Sequence, residues 1–559
     1  MIRVALFVLL AALPLRAGAG EPLQGSLPGL TVWSGEVRVE GDVWVPPGAR
    51  LVIEAGTRVR FAEALSTKTD PVFWHPGTEL AVGGELEVRG TPGSPVVFEG
   101  EGPWGGIVAA PGGRALLRHA VIRGAREALL CVGSRCDLEG VEVDGAAYGI
   151  VTGPGAAVEA DDVRLTGCGV GLLEAGAPGP DGVTVTAPAD AQRLSVPAGA
   201  RGVAVIRTPE PGGPPVEYVG EYTVMGPETW SGEVIITGRV TVVPEAVLTL
   251  APGTRVRFRK VDGNRDGLGE GELLVLGGIR SLGTPARPVV FESAESAPAP
   301  GDWDKVSLIA SEDPDNRFEY TVFRHGVQAL HAHFSRLAAT GCLFEGNLRA
   351  LQFQESEGVR VAGCVFVGNK QALRFRDSTV EVTGSRFVAN LYGVHAFRVT
   401  LDFTGNVIEG SVLGGFLAKE SRVRLVGNRM AFGRDGARFR NAESPAEIRG
   451  SRFEDLAEDG LSLSRTDARV EGNLFDRAGL DLVSVELSDV VLRANRLGAS
   501  GRHAVHLKGD RGVDARGNYW EGDAPARIHD REDRPDLGVV TWRPGLTRPP
   551  PEPPLPTAW

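Results

Sequence analysis

A phrase of some 22 residues recurs through the second half of this chain, and it restricts the fold more than any other feature of the sequence. It reads TGCLFEGN from Thr340, AGCVFVGN from Ala362, TGSRFVAN from Thr383, RGSRFEDL from Arg449, EGNLFDRA from Glu471 and RGNYWEGD from Arg516. Counted on the small residue, Gly341, Gly363, Gly384, Gly405, Gly427, Gly450, Gly472, Ala494 and Gly517 follow one another at steps of 22, 21, 21, 22, 23, 22, 22 and 23. Self-similarity at a fixed period of this size is the signature of a solenoid. Inside each period the apolar residues alternate with polar ones, as in Leu351-Gln352-Phe353, Leu373-Arg374-Phe375, Leu461-Ser462-Leu463 and Val505-His506-Leu507, which is strand periodicity. Each period therefore reads as one coil of short strands. Such coils stack about 4.8 Å apart, pair their backbones with the coils on either side and pile like side chains into a continuous core.

The chain is expected to be all-β, a parallel β-helix. Asn390-Leu391-Tyr392-Gly393-Val394, Asp435-Gly436-Ala437 and Asp459-Gly460-Leu461 match the opening of the repeat that marks right-handed parallel β-helix proteins, and the sequence resembles that pectin-lyase-like superfamily over most of its length. The resemblance implies the fold and leaves the function open, because this fold carries lyases, hydrolases, epimerases, adhesins and inert binding modules.

A second level of repetition divides the chain. Residues 33–61 realign without a gap on residues 230–258, an offset of 197; GTPGSPVVFE from Gly90 answers GTPARPVVFE from Gly283, and Trp104 answers Trp303. Two tandem β-helix modules are expected, at 21–208 and 227–545, joined by a Pro/Gly-rich linker at 209–226 that contains PEPGGPP. Asn518-Tyr519-Trp520 puts bulky aromatics where ordinary coils carry one apolar residue, and the segment 528–544 is expected to fold back over the final coil as a cap, which an open solenoid edge requires. The tail 546–559, rich in proline, is expected to be extended and disordered.

Residues 1–20 follow the three-part plan of a secretory signal peptide: an early cation at Arg3, an apolar run from Val4 to Leu15, then Ala17-Gly18-Ala19 as cleavage site. A membrane anchor needs about 20 apolar residues, and Pro14 and Arg16 interrupt this run. The mature protein is expected in the periplasm, on the outer surface or outside the cell. A net charge of −12 argues against a general nucleic-acid binder. Of five cysteines, Cys131 and Cys136 suit a small loop disulfide after export. Cys342 and Cys364 hold the same place in consecutive coils and read as stacked core residues or as a second disulfide, and Cys168 reads as buried.

Two constellations carry candidate chemistry. Asp262, Asn264, Asp266, Leu268 and Glu270 stand at positions 1, 3, 5, 7 and 9 of a loop with Gly267 at 6, the spacing by which side-chain oxygens and one carbonyl converge on Ca²⁺. Position 12 is Leu273, without the bidentate glutamate, and a solvated acidic turn is the alternative. The second is a row of outward cations, Arg374, Arg376, Arg438 and Arg440, with Arg398 and Lys419 on the intervening coils, which suits the carboxylates or sulfates of an acidic polysaccharide. Enzymes of this fold, by the resemblance, use clustered aspartates or an Arg or Lys base. Here Asp455, Glu458 and Asp459 read as turn acids, and His395, His503 and His506 as surface residues, with His395 and His506 in one column with four coils between them. No organic cofactor motif is present. Copper handling, known among periplasmic β-helices, calls for methionine, cysteine or clustered histidine, and with three methionines and dispersed histidines the sequence speaks against it. The expectation is an exported, non-catalytic binding or structural module directed at a glycan. The alternative is a polysaccharide lyase, epimerase or hydrolase.

Overall fold

The computed structural model describes residues 15–17, 23–27, 29–63, 70–186, 192–197 and 213–556. The expected export signal at 1–20 lies outside these residues apart from the backbone of Leu15–Ala17, which runs as a strand beside Leu30–Trp33. The chain forms two compact units, Met1–Arg193 and Leu194–Trp559. Both are parallel β-solenoids. Among the described residues the second unit builds one sheet of 26 strands, to which each coil gives two, and a second sheet of 14 strands.

A typical coil of the second unit runs Val365–Val367, Gln371–Arg376 and Thr379–Thr383, and each strand pairs in parallel with its counterpart one repeat on: Arg386–Val388, Tyr392–Phe397 and Thr400–Thr404. Alternation puts one face of every strand inside, and like residues then meet along the axis. Phe291, Phe323, Phe344, Phe366 and Phe387 form a stack with centroids 5.1, 4.9, 4.8 and 4.7 Å apart, so the large apolar residue of the repeated phrase is a rung of an aromatic ladder. The asparagines of the phrase satisfy the buried turns, where an unpaired peptide group would be costly. Asn347 N–H donates to Asn369 Oδ1 at 2.9 Å and Asn369 N–H to Asn390 Oδ1 at 3.0 Å. A parallel ladder runs through Asn406, Asn428, Ser451, Asn473, Asn495 and Asn518. The small residue of the phrase is explained by its backbone: all nine marker positions, from Gly341 to Gly517, have φ between 51° and 71°, the left-handed region that costs an L-residue about 1–2 kcal/mol.

The two copies recognised in the sequence are built alike. Phe61 stacks on Trp104 at 4.2 Å and Phe258 on Trp303 at 4.5 Å. Trp104 donates its indole N–H to the carbonyl of Arg123, and Trp303 to that of Arg324, at 2.8 and 2.7 Å.

Three expectations about boundaries are corrected. The stretch 209–226 is not a plain linker: Val216–Val224 is a strand paired along its whole length with Glu233–Val242, because its apolar residues alternate and Tyr218 stacks on Trp230 at 5.4 Å. Residues 209–212 lie outside the described residues. The segment 528–544 does not fold back over the end. It adds a further coil, Ile528–His529 pairing with Val505–Leu507 and Val540–Thr541 with Val513–Asp514. The proline-rich tail is tied down, since Glu552 pairs with Arg496 at 2.7 Å and Arg452 at 3.2 Å, and Arg452 donates to the carbonyl of Pro553. Cys131 and Cys136 form the expected disulfide, and Cys168, Cys342 and Cys364 are buried free thiols.

Candidate functional site

Register in the long sheet decides which outward side chains become neighbours. Gln352, Arg374, His395, Leu417 and Arg438 stand in one column, one per coil. Gln354, Arg376, Phe397, Lys419 and Arg440 stand in the next. The expected cationic row is thus two columns. Arg398 belongs to neither: it occupies a left-handed corner at φ 51°, holds Asp377 at 2.6 Å and lies over the Phe397 ring at 4.3 Å.

Local acids neutralise much of the row. Arg376 pairs with Asp377 at 2.9 Å and Lys419 with Glu420 at 3.2 Å. Burial and the charge of Arg376 bring the Arg374 guanidinium down to about 10. Arg438 differs in kind, pairing with Asp435 at 2.5 Å and with Glu458, both buried, while buried Arg434 holds Glu458 at 2.9 Å. Around the cations the face carries flat groups: Tyr392 meets His395 edge-on at 5.3 Å, and Gln371 bonds His395 Nδ1 at 2.9 Å.

The 262–270 loop is a closed turn. Asp262 accepts from the N–H groups of Asp266 and Gly267, each at 3.1 Å, Asp266 from that of Leu268 at 2.8 Å, and Glu270 from that of Asn264 at 3.2 Å. The Lys260 ammonium donates to the carbonyl of Gly267 at 2.8 Å. The loop's oxygens are therefore drawn to its own backbone donors.

The densest constellation is one the sequence reading passed over. Asp435, Asp459 and Asp481 take the same place in successive coils, each two residues before the register-paired Ala437, Leu461 and Val483. They are 5, 9 and 0 % exposed, and Glu458 is 3 % exposed. These are not ordinary turn acids. Asp459 accepts from the N–H of Asp481 at 3.2 Å and from Ser484 Oγ at 2.8 Å, with the Lys508 ammonium 3.8 Å away. Asp481 faces His503 Nδ1 at 3.1 Å with one oxygen, and His506 Nδ1 at 2.7 Å and Arg502 at 3.0 Å with the other. Ring centroids of His503, His506 and His529 lie 4.9–5.1 Å from one another. Burial pushes the Asp459 carboxyl up, against Lys508 and helped by Asp481. Burial acts on Asp481 in the same sense, but hydrogen bonds from His503 and His506 outweigh it and hold that carboxyl well below the ordinary range. Opposite shifts in neighbouring carboxyls are how a site keeps one proton and loses another.

The shared column of His395 and His506 is as the sequence implied, with four coils between them. The dispersal of the histidines is corrected, since His503, His506 and His529 meet at the end of the second unit. A signal was available: the carboxylate at 481 precedes His503 by 22 residues, one full period, and His506 precedes His529 by 23.

No protein-family model matches the chain, and no curated protein matches it. Among solved structures it is similar to the periplasmic alginate epimerase AlgG, at 12 % identity and a TM-score of 0.27, over 59 % of this chain and 79 % of that one. A GH136 lacto-N-biosidase from Eubacterium ramulus is similar at 8 % identity and a TM-score of 0.15, over 88 % of this chain and 62 % of that one. Likeness at this level carries no argument about what this chain does.

Proposed function

We propose that the protein is an exported β-helix that binds a linear acidic glycan along the outer face of the long sheet in its second unit. The observation that supports this reading is the pair of columns in which Arg374, Arg376 and Lys419 alternate with the rings of His395 and Phe397. Adjacent coils set these groups about 4.8 Å apart, close to the length of one sugar ring, so a chain lying along the axis would meet a cation or a ring face at nearly every residue. Export is part of the proposal and rests on the leader-like residues 1–20. Among the described residues no helix is long and apolar enough to cross a membrane.

The test is calorimetric titration of alginate, pectate and heparin into wild-type protein and into Arg374→Gln/Arg376→Gln/Lys419→Gln, at two ionic strengths. Three partly exposed ion contacts at about 0.5 kcal/mol each amount to roughly a tenfold loss of affinity, with a flatter salt dependence because fewer contacts remain to be screened. Equal affinities in the two proteins would reduce the columns to a solubilising surface. Arg438 is left in place, since removing it would strand buried Asp435 and Glu458.

A second reading, chemistry on the same glycan, is favoured by the adjacent carboxyls of Asp459 and Asp481 with Lys508 and His506 beside them. A carboxyl raised by burial next to one lowered by its histidine partners suits acid–base work. Release of unsaturated uronate or reducing ends by wild-type protein, abolished in Asp459→Asn, would decide for it.

A further inference from the structure

We infer that Asp481, His503 and His506 form a binding site for a divalent first-row transition metal, separate from the acidic 262–270 loop and centred three coils beyond Arg438, where His506 continues the first outward column. Asp481 lies in the turn before the strand Val483–Glu486, and His503 and His506 lie one coil further on, His506 inside the strand Val505–Leu507. Parallel stacking at a fixed register is what brings residues 22 and 25 positions apart into contact.

The donor atoms are placed as a metal requires. One ligand atom from each of the three residues lies within 4.8 Å of the other two. The two histidine Nδ1 atoms stand 3.1 and 2.7 Å from the two oxygens of Asp481. Ligands bound at about 2.0–2.1 Å around a tetrahedral zinc ion are about 3.3 Å apart, so the carboxylate oxygens and the two imidazole nitrogens already stand near the spacing an ion would impose. Two histidines and one carboxylate leave coordination positions open, and imidazole selects zinc and its neighbours over calcium or magnesium.

The surroundings bear on the assignment from every side. Asp481 is fully buried, and its own backbone N–H donates to Asp459, which Ser484 also bonds, so the turn that carries the carboxylate is fixed. His529, with its ring 5.1 Å from that of His503 and 4.9 Å from that of His506, can swing in as a further donor. Asp533, 3.4 Å from His529 Nδ1, adds negative charge. Against the ion stands Arg502, whose guanidinium lies 3.0 Å from one oxygen of Asp481. It is the resident cation with which a metal must compete.

That competition gives a test that a purely structural role would not pass. Untagged full-length protein, stripped with a chelator, is titrated with Zn²⁺ by calorimetry and with Co²⁺ by its visible ligand-field bands. One ion per chain is expected, held by neutral imidazoles. His506→Ala and His503→Ala should each weaken Zn²⁺ by about 100-fold or more, and His529→Ala by about tenfold. Arg502→Gln should tighten binding, whereas removal of a merely structural ion pair would leave Zn²⁺ affinity unchanged. Circular dichroism and melting without metal identify any variant that fails to fold. Should the histidine variants misfold, the Arg502→Gln titration still decides. Absence of saturable binding by the wild type, or affinity unchanged in folded His506→Ala, would overturn the site.

Discussion

His331 shows how the solenoid sets the charge of a single side chain. It stands between Ser307 and Gln352 in a column of the long sheet, and neither ring nitrogen, both buried, has a hydrogen-bond partner. Burial, with the charges of Lys305, His333 and Arg349 acting the same way, lowers its pKa to about 3. The unfolded chain takes up this proton near its ordinary pKa of about 6.5, whereas the folded protein does not until far more acid. The contribution of neutral His331 is therefore complete above pH of about 6.5 and is lost as pH falls toward 3, with a slope of at most about 1.4 kcal/mol per pH unit. Melting curves from pH 7 to pH 4 should fall more steeply for wild-type protein than for His331→Leu. Parallel curves would mean that the ring is protonated or hydrated in place.

At the scale of one turn, the 262–270 loop separates two effects that its sequence spacing confounds. Its carboxylates already cap the loop's own N–H groups, so Asp262→Ala/Asp266→Ala should cost about 1–2 kcal/mol of stability in a chelator, as lost caps do. Calcium binding, which we propose for this loop from its spacing, would add a rise in melting temperature at millimolar calcium by mass action, present in wild-type protein and absent in the variant. No rise in the wild type would leave a self-sufficient turn. The contrast with the histidine cluster explains what was legible in the sequence. A loop motif is contiguous and can be read off directly, and so could the coils, because Gly341 and its successors announce the corner at which every coil turns left-handed. The cluster at Asp481 is not contiguous. Its members lie on three coils, and their convergence depends on aligning 481 with 503 and 506 with 529, the last of which falls beyond the regular repeats. Burial was hidden for the same reason: Glu458 and Asp459 read as turn acids because the arginines and the lysine that partner them, Arg434, Arg438 and Lys508, stand about one or two coils away. The tail misled in the opposite sense, its prolines promising disorder while Glu552 finds Arg496.

The second unit as a whole stands on nearest-neighbour stacking, and this predicts which large changes it tolerates. Deleting residues 362–382 joins Val361 to Thr383, which occupies the place of Ala362 in the next coil. Every remaining strand keeps its register, so one layer is lost and the rest of the stack closes up. Removing 362–372 alone breaks the register of everything that follows. The first variant should retain a cooperative melt and resistance to proteolysis, and the second should lose both. Equal damage from the two deletions would contradict a stack of equivalent coils. The arrangement also has a mechanical consequence. Because the strands of each coil pair with those of the coils beside it, tension applied at the two ends of this unit would load the terminal coils first and strip them one by one. Each release of some 22 residues would lengthen the chain by roughly 75 Å. A protein built in this way yields in equal steps under load and rewinds from whatever part of the stack is still intact.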